Sequence, residues 1–538
     1  MRPILEVARE LGLHDDDVAP YGRDKAKVSL RALGDPAERA GRLVLVSAIN
    51  PTPAGEGKTT TAIALAMGMR RLGRRPVLAL RQPSLGPLFG IKGGGTGGGR
   101  ATLEPSDDIN VHFTGDIHAI ASAHNLLSSI VDNAIQWRDR FGGGQIDPRA
   151  VTWGRVLDSE DRFLRRCVIG LGGPANGVPR EERFDIAAAS EVMAIVALAR
   201  DRADLEARLG RVVVASTHEG TPVTARDLGA SGAMTALLRD ALEPNLVQTA
   251  EGGPALVHAG PFANIAHGCS SVVATQLATR LGDYAITEAG FGFDLGGEKF
   301  LDIKCRAAGL WPRAVVLVVT LRALRAQGGI DHLDKHLESV ASFGLPVVVA
   351  LNTFAGDPPD AAETLASAMA SRGIPFATSD AHERGGEGAL GLAGLVGDVV
   401  DGTDAAPPAP RFLYGLDEPP EAKARAIART VYGARDVVFT ARAQADLARC
   451  RAQGGDRLPL CFAKTHLSLS DDPHSLGRPR DFDVTVREVR LAAGAGMLVA
   501  LTGEITTMPG LPRDPAARRI HLDQDGVIVG LGAEVEHG

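Results

Sequence analysis

Short, uninterrupted apolar runs, each closed off by Gly, Pro or Asn and followed by an Ala/Leu/Arg-rich stretch, recur along this chain. Five stand out: Leu43–Ala48, Val77–Leu80, Val212–Ala215, Ala314–Thr320 and Pro346–Leu351. A strand with one wet face alternates apolar and polar side chains. These runs do not alternate, which is the pattern of strands buried on both faces of a parallel sheet. A buried helix mimics one such run, but hardly five with these boundaries. The expected class is therefore α/β, a mostly parallel sheet with helices on both sides.

At roughly 100–200 residues per domain, the 538 residues suggest about three or four domains. The expected division is a large unit over 1–335, a strand–helix–strand–helix unit over 336–435 and a further α/β layer over 436–538. The Pro-rich piece Ala405–Pro410 reads as a turn or linker. Hydrophobic residues make up 44% and charged residues 23%, the ordinary mix of a soluble globular protein. The net charge is −7 and basic residues do not cluster, which argues against nucleic acid and acidic membranes as partners. The five cysteines, Cys167, Cys269, Cys305, Cys450 and Cys461, are scattered with no CxxC pair. That spacing speaks against a zinc or redox motif and for a reducing compartment. The N-terminal stretch carries charges through its apolar positions and does not read as a signal peptide. The apolar runs are too short to span a bilayer. The expectation is a cytoplasmic protein.

The segment Thr52–Thr61, TPAGEGKTTT, lies between the first apolar run and a helical pattern ending at Gly73. Strand, Gly-rich loop, helix is the context of a phosphate-binding loop. Gly55 and Gly57 let backbone N–H groups close around phosphate oxygens, and the helix start adds its positive end. In that reading Lys58 reaches the β- and γ-phosphates and Thr59 holds Mg²⁺. The usual pattern has Gly where this chain has Thr52, so the match is a variant. The competing reading is a Gly-rich turn with an exposed lysine.

The next run ends in Arg81-Gln82-Pro83-Ser84, and eight of the fourteen residues from Gly86 to Gly99 are Gly. Alone, that stretch is a flexible low-complexity loop. Its position matters, because ligands in parallel sheets bind beyond the carboxyl ends of strands. There Arg81 could clamp a small carboxylate or acyl phosphate with two parallel hydrogen bonds; the alternative is a surface salt bridge. In HFTGDIH, His112, Asp116 and His118 have a spacing that suggests ligands, but a cluster without Cys is more often hydrogen-bonded structure.

In order along nearly the whole chain, Ala48–Thr61, Arg81–Gly94, Asp108–Ile120, Gly170–Glu181, Pro244–Gly268, Glu288–Arg306, Ala463–Pro473, Val486–Gly496 and Thr506–Ala517 resemble the formate–tetrahydrofolate ligase family. The resemblance implies a large P-loop α/β nucleotide-binding domain with two smaller α/β domains, the middle one binding folate, and a homotetramer. It implies the reaction of ATP, formate and tetrahydrofolate to ADP, phosphate and N10-formyltetrahydrofolate through formyl phosphate. Mg²⁺ accompanies ATP, and a monovalent cation such as K⁺ or NH₄⁺ activates. Carried over residue by residue, Thr52, Pro53, Ala54, Gly55, Glu56, Gly57, Lys58 and Thr59 fall on the ATP loop. Lys58 and Arg81 fall on positions that engage the phosphoryl group and formyl phosphate. Phe291 falls on a position lining the same pocket, and Phe354 on one of two residues that sandwich the folate ring.

This sequence departs from the family pattern at several places. His382 stands where a Trp usually forms the other half of the folate sandwich. Phe293 replaces a small residue in GFGFD, Arg100 stands for a Tyr, and the stretch after Gly329 is shorter by roughly twenty residues. Gln82 stands where many bacterial members have Glu. Two further readings follow from these departures: a paralogue using ATP and a small carboxylate with a different amine acceptor, and a catalytically silent oligomeric protein.

Overall fold

The computed structural model describes residues 1–35, 40–52, 55–91, 94–265, 267–358, 360–503 and 505–531. The main sheet is built from β1 (Val18–Pro20), β2 (Ala26–Val28), β3 (Arg42–Ala48), β4 (Pro76–Leu80), β5 (Ala101–Glu104), β6 (Asn245–Thr249), β7 (Pro254–Val257), β8 (Tyr284–Glu288), β9 (Ala314–Val319), β10 (Val347–Asn352) and β11 (Phe376–Ser379). Its order is β1-β2-β6-β7-β4-β8-β3-β9-β10-β11, with β5 alongside β6. From β7 to β11 every pairing is parallel. The edge formed by β1, β2, β5 and β6 is antiparallel. The fold is thus α/β around a large, mostly parallel mixed sheet, as the uninterrupted apolar runs predict.

Alternate residues of each central strand enter opposite cores. Leu43, Leu45, Val77, Ala79, Val315 and Leu317 pack on one face, with Val273 and Leu277 of the helix Val272–Leu281 and Leu333 and Leu337 of the helix Ile330–Ser342. Val44, Val46, Leu78, Leu80, Val316 and Val318 pack on the other, with Ile63 and Leu65 of the helix Lys58–Arg71 and Leu392 and Val396 of the helix Leu390–Asp401. A second body of core forms around the helix Asp116–Trp137. Towards the C-terminus β12 (Asp436–Phe439), β13 (Leu460–Ala463), β14 (Asp483–Ala492) and β15 (Met497–Thr502) form a separate sheet in the order β12-β14-β15-β13. Among the described residues no helix is long and apolar enough to cross a membrane.

One expectation differs from what is seen. The run Val212–Ala215 does not join the parallel sheet: Val213–Ser216 folds back antiparallel on Pro222–Thr224. A buried hairpin arm can carry the same β-branched run as a parallel strand. The expected cut at 335/336 falls inside the helix Ile330–Ser342. The strands that follow, β10 and β11, extend the main sheet by parallel pairing. A parallel pair needs a crossover helix, and that strand–helix–strand unit reads in sequence as a fresh start. Residues 405–410 carry no helix or strand after the helix Leu390–Asp401, in keeping with a linker.

Candidate active site

Every parallel strand from β7 to β11 ends at the same edge of the sheet, and the candidate residues follow those ends. From β3 the chain runs through Asn50 into the loop before the helix Lys58–Arg71. Gly55 and Gly57 have φ of +76° and +67°, the left-handed backbone that favours glycine. A Cβ on Gly57 would also come within 2.3 Å of the Asn352 amide nitrogen. Pro53 and Ala54 lie outside the described residues.

Glu56, only 1% exposed, knits this loop together. Its Oε1 accepts from the Thr52 backbone N–H at 2.6 Å and from the Thr52 hydroxyl at 2.8 Å. Its other oxygen accepts from the Thr320 hydroxyl at the end of β9. Thr52 therefore does work that Gly at this position could not. The Asn352 side chain, at the end of β10, donates to the Glu56 carbonyl at 3.2 Å. Arg322 donates to the Gly55 carbonyl at 2.8 Å. Lys58 is the first residue of the helix and is half-buried.

Thr59 donates through its hydroxyl to Glu288 Oε2 at 2.8 Å. Glu288 is the last residue of β8, the neighbour of β3, and is buried. A hydroxyl and a carboxylate held together at the start of this helix are hard oxygen donors of the kind Mg²⁺ takes, so this pair fits that ion. Sequence reasoning found Thr59 but missed Glu288; the acid standing directly after an apolar run was the available signal.

Arg81 follows β4. Its half-buried guanidinium lies flat on Gly290: a Cβ there would be 3.0, 3.2 and 3.3 Å from Nη1, Nη2 and Cζ. Among the described residues no carboxylate pairs with it and no group accepts a hydrogen bond from it. Such a guanidinium, at the strand-end edge, is arranged to receive an anion. Gly290 leads into Phe291, whose φ of +59° is a strained setting for a residue with a side chain. The Phe291 ring packs on His466, with centroids 4.6 Å apart. Arg81 and Phe291 are thus brought side by side through Gly290, and the segment after β13 places His466 against the Phe291 ring.

Close in sequence to both rings lies a fully buried ion pair, Lys464 to Asp294 at 2.9 Å. Burial alone would raise the Asp294 carboxyl; Lys464, together with His336 and Asn50, more than offsets this and holds it below its ordinary value. Burial lowers the Lys464 ammonium despite the same partner. Asn50 donates to both Asp294 oxygens at 3.3 Å and to the His466 carbonyl at 3.0 Å, and its own oxygen lies 3.0 Å from His336 Nε2.

Phe293, expected near the pocket, is fully buried and turned away from it. Its ring lies over Gly297 and meets Phe343 edge-on at 6.0 Å. The missing Cβ of Gly297 makes room for the extra bulk.

Phe354 and His382 follow the adjacent strands β10 and β11, whose exits are tied by the Thr353 N–H donating to the Ser379 carbonyl at 2.9 Å. Phe354 is 38% exposed, with the Arg322 guanidinium 5.4 Å from its ring centroid. Arg322 therefore links the Phe354 ring to the Gly55–Gly57 loop. His382 is exposed and lies on the Gly-rich hairpin: its carbonyl accepts from the Arg100 N–H at 2.9 Å, and a Cβ on Gly99 would strike that carbonyl at 1.9 Å. Two of the departures from the family pattern, His382 and Arg100, are thus direct neighbours. In HFTGDIH, Asp116 is taken up by Lys27 at 2.6 Å in a buried ion pair.

A family model described as "Formate--tetrahydrofolate ligase" matches residues 1–532. Three curated proteins named formate–tetrahydrofolate ligase are close relatives. One from Myxococcus xanthus (strain DK1622) is 62% identical, over 99% of this chain and 99% of its own length. One from Paracoccus denitrificans (strain Pd 1222) is 52% identical, over 98% and 97%. One from Methylobacterium sp. (strain 4-46) is 52% identical, over 99% and 98%. With ordered blocks along the whole sequence, strand-end residues converging on one edge, and this similarity over nearly full length, the chain belongs to the formate–tetrahydrofolate ligase family.

Proposed function

We propose that the chain joins formate to tetrahydrofolate in two steps, with ATP as phosphoryl donor and formyl phosphate as the intermediate. Formate is unreactive towards amines because its oxygen leaves poorly. Transfer of the γ-phosphoryl group to a formate oxygen makes a mixed anhydride. The N10 lone pair of the folate then attacks the formyl carbon, the C–O bond to phosphate breaks, and the N10 proton passes to solvent.

In this reading residues 52–59 wrap the ATP phosphates with backbone N–H groups, and Lys58 neutralises the transferring group. Thr59 and Glu288 would hold Mg²⁺, which supplies charge neutralisation at the β- and γ-oxygens when bound. Arg81 orients formate and then the acyl phosphate, with Phe291 as the wall behind. Phe354 and His382 flank the folate ring. Positioning and charge stabilisation carry the rate, since little covalent chemistry falls to the protein. The observation that carries this reading is the Arg81 guanidinium, laid flat on Gly290 with no acid among the described residues to satisfy it.

The experiment is isotope exchange. ATP labelled at the β,γ-bridge should scramble with formate alone, and N10-formyltetrahydrofolate should appear once tetrahydrofolate is added. Product without formate-dependent scrambling would overturn the intermediate. Scrambling without product would assign a different amine acceptor. The same reading extends to a monovalent cation activator, a homotetramer and a cytoplasmic location, supported by the family resemblance.

A further inference from the structure

His267 lies in the connection after β7, at the same edge of the sheet as Arg81 and Phe291. It is 1% exposed. Among the described residues neither of its ring nitrogens has a hydrogen-bond partner. A neutral imidazole carries one N–H donor and one acceptor, and leaving either buried and unmet costs about 1–3 kcal/mol. His258, nearby in the same connection, shows the ordinary solution: one ring nitrogen meets Ser271 and the other the Ala241 carbonyl, both at 2.7 Å. His267 is the departure from that norm.

Its surroundings explain what kind of group could meet it. The next residue, Gly268, accepts from the Gly290 N–H at 2.7 Å, so the His267 backbone is locked to the residue on which Arg81 lies. Burial first, and then the charges of Lys304, Arg81, Arg208 and Lys299, hold the imidazole well below its ordinary value. Lys304 is buried and bonded to the Ser270 carbonyl, the Thr275 hydroxyl and the Cys269 sulfur, so its charge stays in place. His267 is therefore a neutral donor in a cationic corner, beside the arginine to which the proposed function assigns the anion.

We propose that His267 is a catalytic residue that donates its ring N–H to the oxygen remaining on the formyl carbon. This rests on the formyl-transfer reading above. The phosphate oxygens carry full charge before and after the step and are matched by Lys58 and Arg81. The formyl oxygen gains charge only when N10 attacks and the carbonyl electron pair moves onto it. A fixed neutral donor aimed at that oxygen favours the transition state over the ground state. The pair returns as the bond to phosphate breaks, and the imidazole keeps its proton throughout.

The test uses the full-length enzyme and reads formate kcat/KM from overall product formation. His267→Leu should fall by about 10²–10³-fold, with the KM values for ATP and tetrahydrofolate unchanged and the thermal midpoint retained. His267→Asn and His267→Gln place an amide N–H at the positions of Nδ1 and Nε2 respectively. One of them should recover at least about tenfold, and the two should differ, because only one ring nitrogen faces the formyl oxygen. Retention of wild-type formate kcat/KM in His267→Leu would overturn the proposal, as would equal activity of the two amide variants. The amide comparison decides the matter if the Leu variant does not fold. Isotope scrambling in the wild-type enzyme tests the intermediate separately, since it involves no His267 variant.

Discussion

Gly290→Ala isolates the positioning of Arg81 from its charge. Gly290 is not among the residues with positive φ, so alanine fits the backbone. The added methyl would sit 3.0, 3.2 and 3.3 Å from Nη1, Nη2 and Cζ of Arg81. Nearly equal distances to three atoms of one plane mean that the whole guanidinium is pushed, not one corner. Ordinary contact between such atoms is about 3.5–4.0 Å, so the fork must shift by roughly half an ångström. A misplacement of about 1 Å can cost 10²-fold in a pre-organised site. The expected loss in formate kcat/KM is therefore about tenfold, or 1.4 kcal/mol, with KM for ATP and the thermal midpoint unchanged. Initial rates at varied formate and saturating ATP and tetrahydrofolate read this directly. Arg81→Lys, which keeps the charge but loses the fork, should lose more. If Gly290→Ala leaves formate kcat/KM within twofold while Arg81→Lys is severely impaired, the fork is not held by Gly290 and the reasoning fails.

Two further outcomes are expected. His382→Trp should tighten tetrahydrofolate by about tenfold, since an indole adds buried area and a better aromatic pair than imidazole, with ATP unaffected; a KM for tetrahydrofolate that rises instead would show that His382 does not flank the ring. Burial holds His124 and His258 at about 4 and His336 at about 3, so all three are neutral in the fold and protonate on unfolding below their ordinary value of about 6.5. At these three groups the unfolded chain then binds more protons, so their contribution to stability is full above pH 6.5 and is lost as pH drops from there towards 4, with about three protons taken up by them on unfolding at pH 5. Proton NMR of the folded protein reads this directly: a ring among the three that titrates near pH 6.5 would refute it.

The parallel sheet is legible because its strands are buried on both faces, and burial on both faces writes itself as uninterrupted apolar residues. Four of the five runs read that way are strands of that sheet. Val213–Ser216 is not, because a buried hairpin arm and a parallel strand carry the same side chains. Only the partner distinguishes them, and Pro222–Thr224 cannot be recognised as that partner from composition. The Gly-rich loop between β3 and the helix Lys58–Arg71 was legible as a local motif. The side chains that hold it were not: Thr320, Arg322 and Asn352 reach it from the ends of strands more than 260 residues on, and nothing local marks that meeting. Phe293 shows the opposite limit. Sequence reports its bulk next to the pocket, but side-chain direction decides its effect, and it points into the core over Gly297.

Why the small C-terminal sheet is bound into the site follows from the Asp294–Lys464 pair. Two apolar side chains of similar volume would bury at least as favourably, because the pair must recover the cost of removing both charges from water. What an apolar pair lacks is direction. Asp294 follows the strained turn at Phe291 and is the second residue of a π-helical stretch, Phe293–Gly297. Lys464 follows β13, and Asn50 stands between β3 and the phosphate loop. Hydrogen bonds from Asn50 to Asp294 and to the His466 carbonyl join these three segments at one point. Each bond is angle-dependent, so the turn carrying Phe291, the loop entrance and the His466 ring are set relative to one another. Fixed relative placement is what a site working by positioning requires, and a greasy contact, free to slide, would not supply it. The ionic pair is thus better understood as alignment of these three segments than as a source of stability.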